Sequence, residues 1–385
     1  MLFFIWAFLG LVCFGAPLFY FVYMRKNALK PWNLKIDMNY RPTVSIIVPT
    51  YNEGQVIQSK LRNLAELDYP KELIQIVAVD GASTDDTVKE IEDFRAKQDF
   101  KVTIIRESER KGKSSALNLA LKYANGEAII VSDADCFWPH DILRKAFPYL
   151  ADGSVGATAG QEKLLNPEQS WVTKTEDLYR DTMFQIQLGE SKCYSTVQFE
   201  GGFGAYKRKA LDQFDVETGS DDSGTALNLV QKGVRTIVLP EAAFYTFFPH
   251  TWKGKMMIKT RRARQFVRIW GKCFRLMVNG ELALPKRIFL SQAFLFFVNP
   301  IVFVTFVLTS LLVLLQIPVL ILVPLVLLIV PKTRVYLIEL FQNNFIALVA
   351  MIESLSGKRS TIWAKAEESR KSFDAEILRK HGLIS

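Results

Sequence analysis

Hydrophobic positions in this chain fall into three patterns. The first is uninterrupted. Residues 1–24 and 288–331 contain no charged side chain, and about 20 such residues suffice to span a membrane as helix. Residues 1–24 are predicted to form a transmembrane helix. A signal peptide fits poorly: no basic residue precedes the run, it is too long, and Arg25, Lys26 and Lys30 follow it. Those charges hold the downstream chain on the cytoplasmic side. The second run is 44 residues long. At ~1.5 Å per residue it would reach roughly 66 Å as one helix, enough for two crossings. A break near Gln316, Ile317 and Pro318 gives a hairpin over 286–334, with Lys286, Arg287, Lys332 and Arg334 at its cytoplasmic ends.

A further apolar stretch, 335–356, carries Glu339, Gln342, Asn343, Asn344 and Glu353. After a hairpin, a third crossing would carry the basic tail, 357–385, out of the cytoplasm. The expectation is therefore an interfacial or re-entrant segment and a cytoplasmic tail.

The second pattern is alternation. Short apolar runs predict strands at 44–48, 74–79, 102–106, 128–131 and 155–159. Helical periodicity covers 54–67, 85–98, 113–123 and 141–150. Strand–helix alternation predicts an α/β domain over 25–250, with a mostly parallel sheet covered on both faces. Ligands of such sheets bind at the carboxyl ends of the strands. The third pattern is amphipathic. Residues 251–285 hold nine Lys or Arg and no acid between Lys253 and Arg275. Arg261, Arg264, Arg268, Lys272 and Arg275 share one helical side, and Phe266, Val267, Trp270, Phe274 and Met277 another. Such a helix suits a membrane interface, and its arginines could hold a diphosphate.

Composition adds little beyond this division. Of 385 residues 49% are hydrophobic, mean hydropathy is +0.12 and net charge is +9. A membrane surface and a phosphorylated substrate account for the positive charge. The adjoining membrane segments argue against a nucleic-acid partner. The four cysteines have no metal-ligand spacing and read as reduced thiols.

Candidate chemistry sits at the strand ends. Pro49, Thr50, Tyr51, Asn52 and Glu53 follow the first strand. Tyr51 and Glu53 could stack on a base and accept ribose or base hydrogens; equally, Asn52 and Glu53 could open a helix. Asp80 ends the second strand ahead of Gly81, Ala82 and Ser83 and is placed to accept an N–H from a nucleobase. Ser83 and Asp86 fit a helix cap. Lys111, Gly112 and Lys113 do not form a phosphate loop, because Glu107 stands where its first glycine belongs. Lys113 still opens a helix, beside a phosphate or in a solvated charge run. Asp133 and Asp135 follow the apolar run 128–131. Two carboxylates there repel unless a cation such as Mg2+ or Mn2+ joins them, or unless both are solvated. Gly201 and Gly202 offer either a backbone wall against substrate or a plain turn before a helix. Asp221 and Asp222 could cap a helix or supply a general base.

Taken together, residues 43–275 resemble the family 2 glycosyltransferases, which have a GT-A fold and include cellulose and hyaluronan synthases. The resemblance implies an inverting, metal-dependent glycosyltransferase using Mg2+ or Mn2+. Pro49, Tyr51, Glu53 and Asp80 would hold the nucleoside, Lys113 and Asp133 would lie by the diphosphate, and Asp135 and Asp133 would bind the metal. Asp222 would be the general base, with Asp221 beside the acceptor. The synthases carry a Gln-(Gln/Arg)-x-x-Arg-Trp motif; here the aligned run is Thr260 to Gln265, which keeps Arg264 but has Gln265 for the Trp. Arg261, Arg264, Gln265 and Arg268 are the remaining acceptor or diphosphate candidates. Loss of that Trp favours transfer of one sugar to a lipid-linked or glycan acceptor at the membrane. A processive polysaccharide synthase and a non-catalytic sugar-nucleotide-binding scaffold are the alternatives. The donor is expected to be a UDP-sugar ahead of a GDP-sugar, and the enzyme a multi-pass membrane protein facing the cytoplasm.

Overall fold

The computed structural model describes residues 1–97, 101–355, 368, 370 and 372–385. Two compact units emerge: Asn27–Lys255 with Ser360–Ser385, and Met1–Lys26 with Met256–Arg359.

The first unit is built on one eight-stranded sheet. Its strands are β1 (Val44–Thr50), β2 (Ile74–Asp80), β3 (Lys101–Arg106), β4 (Ala128–Val131), β5 (Cys136–Phe137), β6 (Val155–Leu164), β7 (Gly204–Lys207) and β8 (Arg235–Thr246), in the order β3-β2-β1-β4-β7-β6-β8-β5. β1, β2, β3 and β4 pair in parallel. β2 and β4 are buried along their whole length, which is why their sequences read as continuous apolar runs. Ile46 and Val48 face a core with Ile57, Leu61 and Leu64, while Ile47 faces Ala116, Leu117 and Ala120 on the other side. The chain leaves β1 towards β2 and β3, then returns to lay β4 on the opposite side. The crevice at this switch point is where such folds bind ligands.

The sheet is mixed beyond β4. β7 runs antiparallel between β4 and β6, β8 runs parallel to β6, and β5 closes the far edge antiparallel to β8. The expected turn around Gly201 and Gly202 leads into β7 and not into a helix. Gly204–Lys207 has no period of its own and becomes a strand only by pairing on both sides. Residues 98–100 lie outside the described residues, so the expected end of the 85–98 helix does too.

Among the described residues three helices are long and apolar enough to cross a membrane, by length and composition: Leu2–Ala28, Lys286–Gln316 and Thr333–Ser354. The expected break falls at Ile317, where a short 3-10 turn starts at Pro318. Proline cannot donate to the helix and pushes the preceding residue out of helical geometry. A shorter apolar helix, Pro318–Ile329, follows. Trp6 donates to Ser310 Oγ at 2.8 Å and stacks on Phe306, tying the first helix to Lys286–Gln316.

The polar residues of the third segment turn inward. Lys259 Nζ meets Glu339 at 2.5 Å and Asn343 at 3.0 Å, Arg264 grips both oxygens of Glu353, and Asn299 donates to Asn344 at 3.1 Å. Charges in an apolar setting are tolerable when they are paired in this way.

Candidate active site

The loops at the carboxyl ends of β1 and β2 are stitched together. Asn52 adopts φ +53° and Ala82 φ +60°. A left-handed alanine costs ~1–2 kcal/mol, and strain of that kind clusters at functional loops. Asn52 N donates to Ser83 Oγ at 2.8 Å, and Asn52 Oδ1 accepts from Thr84 N at 2.8 Å. Glu53 N donates to Thr87 Oγ1 at 2.7 Å and Gly54 N to Asp85 Oδ2 at 3.0 Å. This stitching consumes the residues expected to open a helix at 54, so the helix starts at Ile57. Asp85 Oδ1 accepts from Thr87 N at 3.0 Å where the next helix begins, while Ser83 is engaged with Asn52 and Asp80. Pro49 stays within β1, opposite Val79.

Asp80 is buried and braces this turn. Its carboxylate accepts from Ser83 N at 2.9 Å, from Ser83 Oγ at 2.5 Å and from Thr50 Oγ1 at 3.2 Å. Tyr51 lies under the Arg110 guanidinium, 3.9 Å from the ring centroid. Such a cation over an aromatic face is attracted to the ring quadrupole.

In the loop that follows β3, Gly112 takes φ +98°, a conformation that favours glycine, and Lys113 opens the helix Lys113–Leu121. Lys113 Nζ bridges Asp133 Oδ1 at 2.7 Å and Asp221 Oδ2 at 3.0 Å. Burial disfavours its charge, but Asp133, Asp221 and Asp222 outweigh burial and hold the ammonium well above the usual lysine range. Burial raises the Asp221 carboxyl to about 6; Asp222 and Asp133 add to the rise and Lys113 opposes it. Asp222 caps the helix Ser223–Gln231, its Oδ1 accepting from Ser223 N at 2.6 Å and from Ser220 Oγ at 2.5 Å.

The two glycines after Glu200 differ in role. A Cβ on Gly201 would stand 3.0 Å from Lys113 Nζ, 3.2 Å from Asp133 Oδ2 and 3.4 Å from Asp222 Oδ2. Gly201 thus lines the charged cluster. A Cβ on Gly202 would instead fall 2.1 Å from the Phe244 ring, inside the core. Gly202→Ala is expected to destabilise the fold by about 1–3 kcal/mol, as overpacking does. Gly201→Ala should leave stability nearly unchanged, because the Lys113 ammonium can shift aside. Thermal unfolding checks both, and equal melting points for the two variants would refute the distinction.

Asp133, Asp135 and Cys136 present ligand atoms within 4.8 Å of one another. Burial pushes the Cys136 thiol well above its ordinary range, Asp135 and Asp133 adding to the effect, so the sulfur stays protonated. The donors left are carboxylate oxygens, the hard ligands that Mg2+ and Mn2+ prefer. The residues present fit a divalent ion. The repulsion expected between the two carboxylates is met here by side-chain cations, Lys113 on Asp133 and Arg370 on Asp135 at 2.8 Å.

The first unit therefore gathers Tyr51, Glu53, Asp80, Lys113, Asp133, Asp135, Gly201, Asp221 and Asp222 around the ends of its parallel strands. Arg261, Arg264, Gln265 and Arg268 belong to the other unit, where Arg264 is bound to Glu353. Lys255 is not a surface cation: it is fully buried, donates to Thr175 at 2.9 Å and sits 3.5 Å from Glu176. His250 Nδ1 lies 3.1 Å from Glu368.

Three charged residues at the site carry no local motif. Arg110 covers Tyr51. Arg370 reaches Glu53 and Asp135. Lys60 is fully buried, donates to Cys136 O at 2.6 Å and lies over the Trp138 ring. Burial lowers its ammonium to about 7, against the pull of Cys136, Asp133 and Asp135. Lys60 had a legible signal, a lysine on the apolar stripe of Ile57, Leu61 and Leu64.

A family model described as "Glycosyl transferase family 2" matches residues 45–214. A solved structure of a mannosyltransferase from Pyrobaculum calidifontis, in complex with GDP-Man and Mn2+, superposes with a TM-score of 0.80 and 31% identity, covering 93% of this chain and 100% of that one. An N-acetylglucosaminyltransferase of Rhizobium meliloti is 28% identical over 59% of this chain and 56% of its own length. A beta-monoglucosyldiacylglycerol synthase of Nostoc sp. is 32% identical over 47% of this chain and 40% of its own. The chain thus spans about half the length of these two curated relatives.

Proposed function

The chain belongs to glycosyl transferase family 2, and from that premise we propose that it is a membrane-bound, metal-dependent, inverting glycosyltransferase. It moves a sugar from a nucleoside-diphosphate sugar to a membrane-associated acceptor. One observation carries this reading: Glu53, Lys113, Asp133, Asp135, Asp221 and Asp222 converge at the carboxyl ends of parallel strands.

The roles follow from position. Tyr51 and Arg110 form a stacking surface for the base, and Glu53 and Asp80 supply acceptors for base or ribose hydrogens. Asp133 and Asp135 would hold Mg2+ or Mn2+, which when bound neutralises charge on the leaving diphosphate. Lys113, at a helix N-terminus, adds a second positive charge there. Asp222 takes the proton from an acceptor hydroxyl as its oxygen attacks the anomeric carbon. The nucleoside diphosphate leaves from the opposite face, so configuration inverts.

The mannosyltransferase neighbour holds GDP-Man, which brings guanosine alongside the uridine donor favoured by the sequence. The glucosyldiacylglycerol relative supports a lipid acceptor, and Gln265 in place of Trp supports single transfer over polymerisation. A thermal-shift panel of UDP- and GDP-sugars with Mn2+ tests the reading, since a bound donor raises apparent stability by mass action. No shift with any donor would count against it.

Topology has a parity argument. Phe373 to Ile384 pack into the catalytic unit's own core, so the tail and the catalytic domain share one side of the membrane. An even number of crossings must separate them. Lys286–Gln316 and Thr333–Ser354 have the length for two, and Pro318–Ile329 is too short to cross fully. This keeps the tail cytoplasmic but moves the second crossing into the third apolar segment. A Ser385→Cys variant should react with an impermeant maleimide only when the cytoplasmic face is exposed; labelling from the other face would refute this arrangement.

A further inference from the structure

A C-terminal arginine enters the acidic cluster of the donor site. Arg370 Nη2 lies 2.9 Å from Glu53 Oε1, its Nε 3.2 Å from Glu53 Oε2, and its Nη1 2.8 Å from Asp135 Oδ2. The three side chains are only 18%, 8% and 23% exposed. The guanidinium fork holds one carboxylate with two donors and a second with its remaining edge, a geometry that an ammonium cannot copy. An exposed ion pair contributes little, but this one is largely shielded from water.

Two anchors deliver Arg370. On one side Glu368 accepts from Thr251 N at 2.8 Å and Thr251 Oγ1 at 2.6 Å, at the start of the helix Trp252–Val278. On the other, Phe373 stacks on Phe137, and Leu378, Leu383 and Ile384 join Phe137, Leu165 and Phe247 in one buried cluster. Phe137 is two residues beyond Asp135. The downstream anchor therefore grips β5, directly after the turn that carries Asp133 and Asp135.

Charge dictates what the arrangement does. Glu53, Asp133 and Asp135 would repel one another without cations among them. Lys113 answers Asp133, and Arg370 answers Asp135 and Glu53. A divalent ion bound to Asp135 would meet the guanidinium at contact distance, so the two cations compete for one carboxylate. Resting on the metal-dependent reading above, we propose that Arg370 is a tethered occupant of the cation position: it holds Asp135 and Glu53 in the metal-free protein and is displaced from Asp135 when metal and donor bind. A tethered competitor lowers the apparent affinity for metal alone by the fraction of time it leaves Asp135 uncovered. Metal and donor then bind cooperatively, because donor contacts help to drive the displacement.

The test is Mn2+ titration followed by electron paramagnetic resonance, on the full chain in detergent without nucleotide. Wild type, Arg370→Ala, Arg370→Gln, Arg370→Lys and Asp135→Asn are compared, with the fold of each checked by thermal unfolding. Arg370→Gln keeps the neutral arm of the test if Arg370→Ala misfolds. The neutral variants are expected to bind Mn2+ at least tenfold tighter than wild type, Arg370→Lys to fall between, and Asp135→Asn to bind most weakly. If the folded neutral variants bind no tighter than wild type while Asp135→Asn loses the ion, the competition is refuted and the metal site stands. If none of the proteins binds Mn2+, with or without nucleotide, the metal-dependent reading fails and this inference falls with it.

Discussion

Asp135→Asn is expected to cut transfer activity by at least about 10³-fold, the scale of losing one dedicated electrostatic stabiliser of developing charge. Asparagine keeps the shape of the side chain and removes the charge. Asp133 would be left as the one carboxylate of the pair, and its Oδ1 is shared with Lys113 at 2.7 Å. The fold should survive. Arg370 retains both contacts to Glu53, so no guanidinium is left buried and unpaired. Metal-free thermal stability should therefore move little while activity and Mn2+ binding are lost together. Full activity in a variant that no longer binds Mn2+ would sink the metal assignment.

The two halves of the site were unequally legible in the sequence. Buried parallel strands leave a strong mark, and β1, β2 and β4 were visible as apolar runs with chemistry at their ends. Tyr51, Glu53, Asp133 and Asp135 stand out because each follows such a run by a few residues, and Lys113 because it follows Gly112 at the start of a helix. β7 left no mark: Gly204–Lys207 owes its conformation to β4 and β6, not to its own four residues. Arg370 was hidden for a related reason. Its meaning depends on Glu53 and Asp135, which are distant in sequence and brought near by the hydrophobic packing of Phe373, Leu378 and Ile384.

The same limit governed the membrane segments. The segment 335–356 carries polar residues, and a lone charge in lipid is costly. Their partners Lys259, Arg264 and Asn299 lie in other helices, so the cost of burial could not be judged from the segment alone. Part of the charge on the basic helix is paired within the fold: Lys255 with Thr175 and Glu176, Lys259 with Glu339, and Arg264 with Glu353.

Asp222→Asn is expected to lower kcat by about 10²–10⁴-fold, the range for removing a general base, with donor affinity held within about threefold. Asparagine is the informative replacement. Asp222 caps the helix Ser223–Gln231 through Ser223 N, and asparagine caps as well as aspartate, whereas alanine would cost about 1 kcal/mol of stability besides the base. Its neighbour supplies the control. Asp221 is committed to Lys113 at 3.0 Å, so Asp221→Asn should disturb Lys113 and register first as weaker donor binding. The two acids thus predict opposite splits, kcat for Asp222 and donor Kd for Asp221. Acceptor chemistry enters here too: an acceptor that attacks through an ionised phosphate needs no base, and only a hydroxyl acceptor makes Asp222 indispensable. Single-turnover rates with saturating donor, measured for both variants, decide the matter. A normal rate for Asp222→Asn with the native acceptor would remove it as the base and point to an acceptor that is already ionised.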